Sequence, residues 1–263
     1  MSLSGQLTKL EHQRDKPIQY HLRLGNERIS LNDLLEKRIT ISFEDKIECI
    51  ACGRVIKKTY NSGYCYPCFR DLPENDLCIV KPSLCHHHKG TCRDSQWGES
   101  HCMQPHIVYL AISSELKVGL TRRDNHFSRW TDQGAVEGLV LAELPTRKLA
   151  GELELALAEH VSDRTDWRRM LQNRVTDRDL AQARTELIER VPAEYRQYLL
   201  PAQEIVQLEY PMVAAAPKLK SFDLLKQATV SGQLVGIKGQ YLILDNGVFN
   251  VRKHSGFYIS FSY

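Results

Sequence analysis

"CIACGRVIKKTYNSGYCYPC" runs from Cys49 to Cys68 and sets two Cys-x-x-Cys pairs twelve residues apart. Four sulfurs in this pattern invite three readings: a disulfide scaffold, a redox pair or a metal cage. A thioredoxin-type motif uses one such pair at a strand-to-helix junction, not two separated by the length of a hairpin. A Cys-x-x-Cys turn presents two thiolates from one edge, and a segment that folds back brings two more to complete a tetrahedron. Gly53 suits the first turn, and Asn61-Ser62-Gly63 supplies a reversal before the second pair. Cys49, Cys52, Cys65 and Cys68 are therefore expected to hold one structural zinc ion.

The rest of the composition narrows the setting. With 42% hydrophobic and 25% charged residues, 263 residues suffice for a real core and for more than one unit. A net charge of +3 is too weak a field to announce a nucleic-acid binder, so any such role must rest on local patches. The opening stretch "MSLSGQLTKLEHQRDKP" has no apolar central region, and no apolar run is long enough to span a bilayer. A cytoplasmic location without membrane contact is expected. In that compartment paired cysteines hold metal or do redox chemistry rather than form structural disulfides. The sequence carries no signal of oligomeric state.

Four more cysteines follow at once, Cys78, Cys85, Cys92 and Cys102, with looser spacing and with His86, His87, His88 and His101 among them. Zinc accepts sulfur and imidazole alike, so a second closed site is expected, with four sulfurs as ligands and His86 or His101 as possible replacements.

The chain reads as α+β. N-terminal β strands occupy residues 1–48, a zinc-binding module with the spacing of a zinc ribbon 49–104, and a central α/β domain 105–175. A helical connector covers 176–220, and C-terminal β hairpins cover 221–263, with Asn246-Gly247 as a hairpin turn. Thr146 is expected to cap a helix that runs to about His160, and Thr176 or Asp177 a later one.

The central stretch "HIVYLAISSELKVGLTRRDNHFSRWTDQGA" (106–135) holds two short strands joined through "SSE". It resembles the GIY-YIG nucleases, in which a Tyr-bearing strand pairs with a strand closing on Gly, an Arg follows on a helix and a Glu on a later helix. Tyr109, Gly119, Arg129 and Glu154 match those positions in order. The first motif, Ile107-Val108-Tyr109, lacks its Gly, and in the second, Lys117-Val118-Gly119, a lysine stands in place of Tyr. Variant branches with a Lys-Val/Ile-Gly-x-Thr strand keep the likeness. The resemblance implies metal-dependent cleavage of DNA or RNA: Tyr109 helps activate water, Arg129 steadies the phosphate, and Glu154 holds Mg2+ or Mn2+. Lys117 adds positive charge, with Thr121 or His126 assisting. The run "KVGLTR…RWTDQGA" after paired cysteine clusters also resembles an uncharacterised bacterial family, a domain of unknown function, over most of the chain. That likeness implies fold and metal binding and no reaction.

Helix geometry supports Glu154 independently. Leu149, Leu153, Ala156, Leu157 and Val161 share one face, Glu154 borders it, and Ala150, Gly151 and Ala158 are small neighbours that leave room beside its carboxylate. Two further basic groups are candidate phosphate-facing patches. One joins "TRR" at 121–123 with Arg164, Arg168, Arg169 and Arg174. The other joins Lys238, Tyr241, Arg252 and Lys253 with Phe257 and Tyr258. Endonuclease, zinc-stabilised nucleic-acid binder without catalysis, and protein-interaction module are the functions that remain.

Overall fold

Alternation of apolar and polar side chains makes much of this chain strand-forming, and in most strands the apolar members are the buried ones. The computed structural model describes residues 2–161, 166–202, 204–216 and 219–263. Strands β1 (Ser2–Gln6), β2 (Glu11–Gln13), β3 (Gln19–Leu24), β4 (Glu27–Ser30) and β5 (Arg38–Ile47) come first. Helices α1 (Tyr66–Asp71), α2 (Leu77–Val80) and α3 (Ser95–His101) punctuate the cysteine-rich stretch. Next are β6 (His106–Ile112), β7 (Leu116–Arg122), α4 (His126–Asp132), β8 (Glu137–Leu144) and α5 (Arg147–Ala158). Then come α6 (Trp167–Leu171), α7 (Leu180–Ile188) and β9 (Val206–Gln207). The chain closes with β10 (Thr229–Lys238), β11 (Tyr241–Leu244), β12 (Gly247–Asn250) and β13 (Phe257–Ser262). The class is α+β, as expected. Among the described residues no helix is long and apolar enough to cross a membrane.

Contacts divide the chain into two units, one running to Arg70 and resuming at Glu209–Tyr263, the other Asp71–Leu208. The boundary falls inside the 49–104 stretch, between the two cysteine clusters.

The first unit is built on a six-stranded antiparallel sheet, ordered β1-β13-β5-β10-β11-β12, with a smaller β2-β3-β4 sheet. Its central strand β5 is held by partners from the far end of the chain, Val230 opposite Ile41 and Ile259 opposite Phe43. Asn246 lies in the tight turn that closes the β11–β12 ladder, where Leu244 faces Gly247. The binding sheet expected from the last hairpins is corrected here. Lys238 is fully buried, Phe257 is in the core, and Lys253 is paired with Asp223 at 2.8 Å. Lys238 and Phe257 serve packing, while Arg252 and Lys253 stay exposed.

The second unit centres on the antiparallel sheet β7-β6-β8-β9. Alternation sends Val108, Leu110, Val118 and Leu120 to one face, where Ala150, Leu153 and Leu157 of α5 and Leu180 and Leu187 of α7 complete the core. Tyr109, Lys117 and Gly119 point to the other face, where Trp130 of α4 meets Tyr109 edge-on at 5.7 Å. β7 is the edge strand, and α4 and α5 both contact it. Thr146 caps α5 as expected, accepting from the Leu149 amide. The cap of α7 is Asp179, not Thr176 or Asp177. The Thr176 amide donates instead to the Ser114 carbonyl at 2.9 Å, which ties that stretch to the sheet and delays the helix.

Candidate functional site

The Cys49–Cys68 stretch folds as its turn residues require. The Gly53 amide donates to the Cys49 carbonyl at 2.9 Å with φ at +70°, which closes a tight turn around the first pair. Tyr60 and Tyr64 exchange backbone hydrogen bonds across Asn61, Ser62 and Gly63, all at positive φ. The hairpin so formed delivers Cys65 and Cys68 to the first pair, and all four ligand atoms lie within 4.8 Å of one another. Cys52 and Cys65 sulfurs stand 3.7 Å apart, far beyond a disulfide bond. Zinc–sulfur bonds of about 2.3 Å put the sulfurs of a tetrahedron about 3.8 Å apart. The four thiols thus have the spacing of a closed metal cage. Burial disfavours the Cys49 thiolate, but the backbone amides of Cys65, Cys52 and Ala51 outweigh it and bring the thiol down to about 6. The hydrogen bond that the Cys68 thiol gives to Cys65, together with burial, pushes Cys68 the other way. The cluster can hold a metal ion such as zinc, and the donor set suits it.

Cys78, Cys85, Cys92 and Cys102 line one closed hollow of about 10 Å³. The tightest metal-type grouping inside it is Asp76, Cys78 and His86, not four sulfurs. His101 is not among the side chains lining this hollow. Its ring stacks on Trp97 at 4.2 Å, and its Nδ1 lies 3.0 Å from the Trp97 carbonyl.

At the free edge of β7 an open cavity of about 640 Å³ is bounded by β6, β7, α4, α5 and the segment Val80–Leu84. Tyr109, Lys117, Gly119, Arg129 and Glu154 all line it. Tyr109 donates its hydroxyl to Gln133 at 3.1 Å, and burial holds its phenol protonated. Burial, reinforced by the Arg129 charge, brings Lys117 down to about 8, while Glu154 pulls the other way. Burial raises the Glu154 carboxyl against the cations Arg129, Arg147 and Lys117 and the Leu120 backbone amide, which hydrogen-bonds it. Two or three cations around one carboxylate leave a site suited to an anion.

A family model described as "Protein of unknown function (DUF2797)" matches residues 36–259. The chain belongs to this family. No curated protein and no solved structure matches it. None of these findings supports the resemblance to the GIY-YIG nucleases, which rests on the residues alone.

Within this DUF2797 chain, the structure departs from several sequence expectations. Pro82 and Ser83 fill the place of the side chain that Gly151 lacks, where a Cβ would fall 2.5 Å from Pro82 Cβ, so the room beside Glu154 is the open cavity and not the gap at Gly151. Thr121 and His126 do not line the cavity; His126 packs on Trp130 at 5.0 Å. Of the arginine patch, Arg123 pairs with Glu143, Arg169 with Glu115, and Arg168 lies over the Trp167 ring, while Arg164 lies outside the described residues. Among the described residues Glu154 belongs to no cluster of three metal-ligating side chains. Sequence reasoning missed Gln133 and the Val80–Leu84 segment that lines the cavity. Gln133 follows Arg129 by four residues, one helical turn on, and that spacing is the signal that finds it.

Proposed function

We propose that this is a zinc-stabilised, nucleic-acid-interacting protein whose β7-edge cavity binds and hydrolyses a phosphodiester. The observation that carries the reading is the meeting of Tyr109, Lys117, Arg129 and Glu154, from four separate elements, in one open cavity. Arg129 and Lys117 supply positive charge where a phosphate gathers negative charge in the transition state. Tyr109, held protonated, orients water by hydrogen bonding. Glu154 is the residue to hold Mg2+ or Mn2+, which needs only one or two carboxylates when substrate and water complete its shell. An ion held there would supply Lewis-acid polarisation of a phosphoryl oxygen.

A neighbouring hollow of about 280 Å³ shares Leu120 and Arg129 with the cavity and adds Arg122, Asn125 and Arg147. A basic path beyond the first phosphate favours a DNA or RNA strand over a single nucleotide. The Cys49, Cys52, Cys65 and Cys68 zinc ion is structural in this reading, and a second ion sits on the later thiols. A second reading, recognition of nucleic acid without cleavage, draws on Glu154 belonging to no group of three metal-ligating side chains among the described residues.

The test is incubation of single-stranded, duplex and branched DNA and of RNA with Mg2+ or Mn2+. Metal-dependent cutting by wild type, lost in Glu154→Gln and reduced in Tyr109→Phe, is the expected result. Cutting unchanged in Glu154→Gln places the chemistry elsewhere, and binding without cutting leaves the second reading.

A further inference from the structure

The later thiol cluster and the cavity are joined by one short piece of chain. Six residues separate Cys78 from Cys85, and five of them, Val80–Leu84, form a wall of the cavity. That wall presses on α5, the helix carrying Glu154, with Pro82 and Ser83 seated where any side chain on Gly151 would go. The first residue of α5 is tied to the same module twice. The Arg147 amide donates to the Cys102 carbonyl at 2.8 Å, and its guanidinium donates to the Ile79 carbonyl at 2.7 Å.

The hollow lined by the four thiols has room for one ion and nothing larger. Cys78, Cys85 and Cys102 are buried there, and Cys92 is half-buried, its thiol donating to the Asp94 carbonyl at 3.2 Å. Asp76 caps α2 through the Cys78 amide and pairs with Arg93 at 2.7 Å, and His86 is held at Nδ1 by Thr91 at 2.8 Å with its Nε2 3.5 Å from Asp76. A divalent ion with a preference for sulfur meets four thiols that can close on it.

We propose that Cys78, Cys85, Cys92 and Cys102 bind a zinc ion that fixes the Val80–Leu84 wall against α5, so that metal occupancy sets the shape of the cavity. Binding releases the thiol protons to solvent, and Cys92 leaves the Asp94 carbonyl to complete the tetrahedron. The consequence for substrate rests on the functional reading above; the ion and the wall do not.

The experiment pairs zinc analysis with hydrogen exchange. Wild type is expected to carry two zinc ions per chain, and Cys65→Ser/Cys68→Ser and Cys85→Ser/Cys102→Ser one each. In Cys85→Ser/Cys102→Ser, amides of residues 79–84 and of the first turns of α5 should exchange roughly tenfold faster or more, while β11 and β12 stay protected. Should that variant fail to fold, cobalt titration of metal-free wild type replaces it, with two equivalents giving thiolate-to-metal absorption. One zinc or cobalt per chain, lost with Cys65 and Cys68, overturns the site. Two ions with unchanged exchange at 79–84 overturns its role. A failed cleavage assay moves neither readout.

Discussion

Tyr109 and Gly119 face one another across the β6–β7 ladder, and a Cβ on Gly119 would lie 2.6 Å from the Tyr109 hydroxyl. The ring lies across the glycine because no side chain is there to stop it, and this places the phenol at the cavity beside Gln133. Gly119→Ala should force the ring away and cost about 1–3 kcal/mol, as overpacking does. Tyr109→Phe keeps the packing and loses one hydrogen bond, about 0.5–1.5 kcal/mol. Urea unfolding of the two variants checks the order.

Gly151→Ala reverses the usual sign for a helix. In an exposed helix interior the change gains about 1 kcal/mol. Here the new methyl meets Pro82 Cβ at 2.5 Å and the Ser83 nitrogen at 2.7 Å, both on the wall. Net destabilisation of about 1–2 kcal/mol is expected, read as a lower unfolding midpoint.

The buried lysines give the stability a pH dependence. Burial brings Lys238 and Lys117 down to about 8 from an ordinary value near 10.5. Between those values the unfolded chain keeps a proton that the folded chain has lost, so stability rises with pH across the window. Below pH 8 the whole cost of the buried charge is present. Each lysine contributes a slope of up to about 1.4 kcal/mol per pH unit inside the window. Lys238→Met should therefore be the more stable protein at pH 7 and should lose one such slope, seen by unfolding wild type and variant side by side from pH 7 to 10.

Removal of the first metal should act locally. Binding energy on the order of 10 kcal/mol at a structural zinc site is folding energy for the residues that hold it. Cys65→Ser should release one zinc and loosen the 49–68 hairpin, while Val230 and Ile41 remain paired in the main sheet. Hydrogen exchange at those two places separates the outcomes.

How much of this was legible depended on sequence distance. The Cys49–Cys68 cage was readable because its ligands, its glycine turn and its reversal lie within one short stretch. Thr146 and Asn246-Gly247 were readable for the same reason, since caps and hairpin turns are local chemistry. Tyr109, Lys117, Arg129 and Glu154 were named from their order along the chain, and the fold brings them to one cavity. The wall was not readable. Nothing in "VKPSL" says that it packs on Gly151, and the small residues around Glu154 read as open space when Pro82 fills part of it. Lys238 and Phe257 likewise read as a surface because strand alternation does not say which face is covered.

The proposal that the β7-edge cavity binds a phosphate is tested most directly by strand binding. A fluorescently labelled single strand would be titrated with wild type, Arg129→Gln and Lys117→Met at low and high salt, with unfolding midpoints checked in parallel. The predicted result is salt-sensitive binding that each variant weakens roughly tenfold or more, with a shallower salt dependence. Binding of equal strength and equal salt dependence in all three proteins would contradict it.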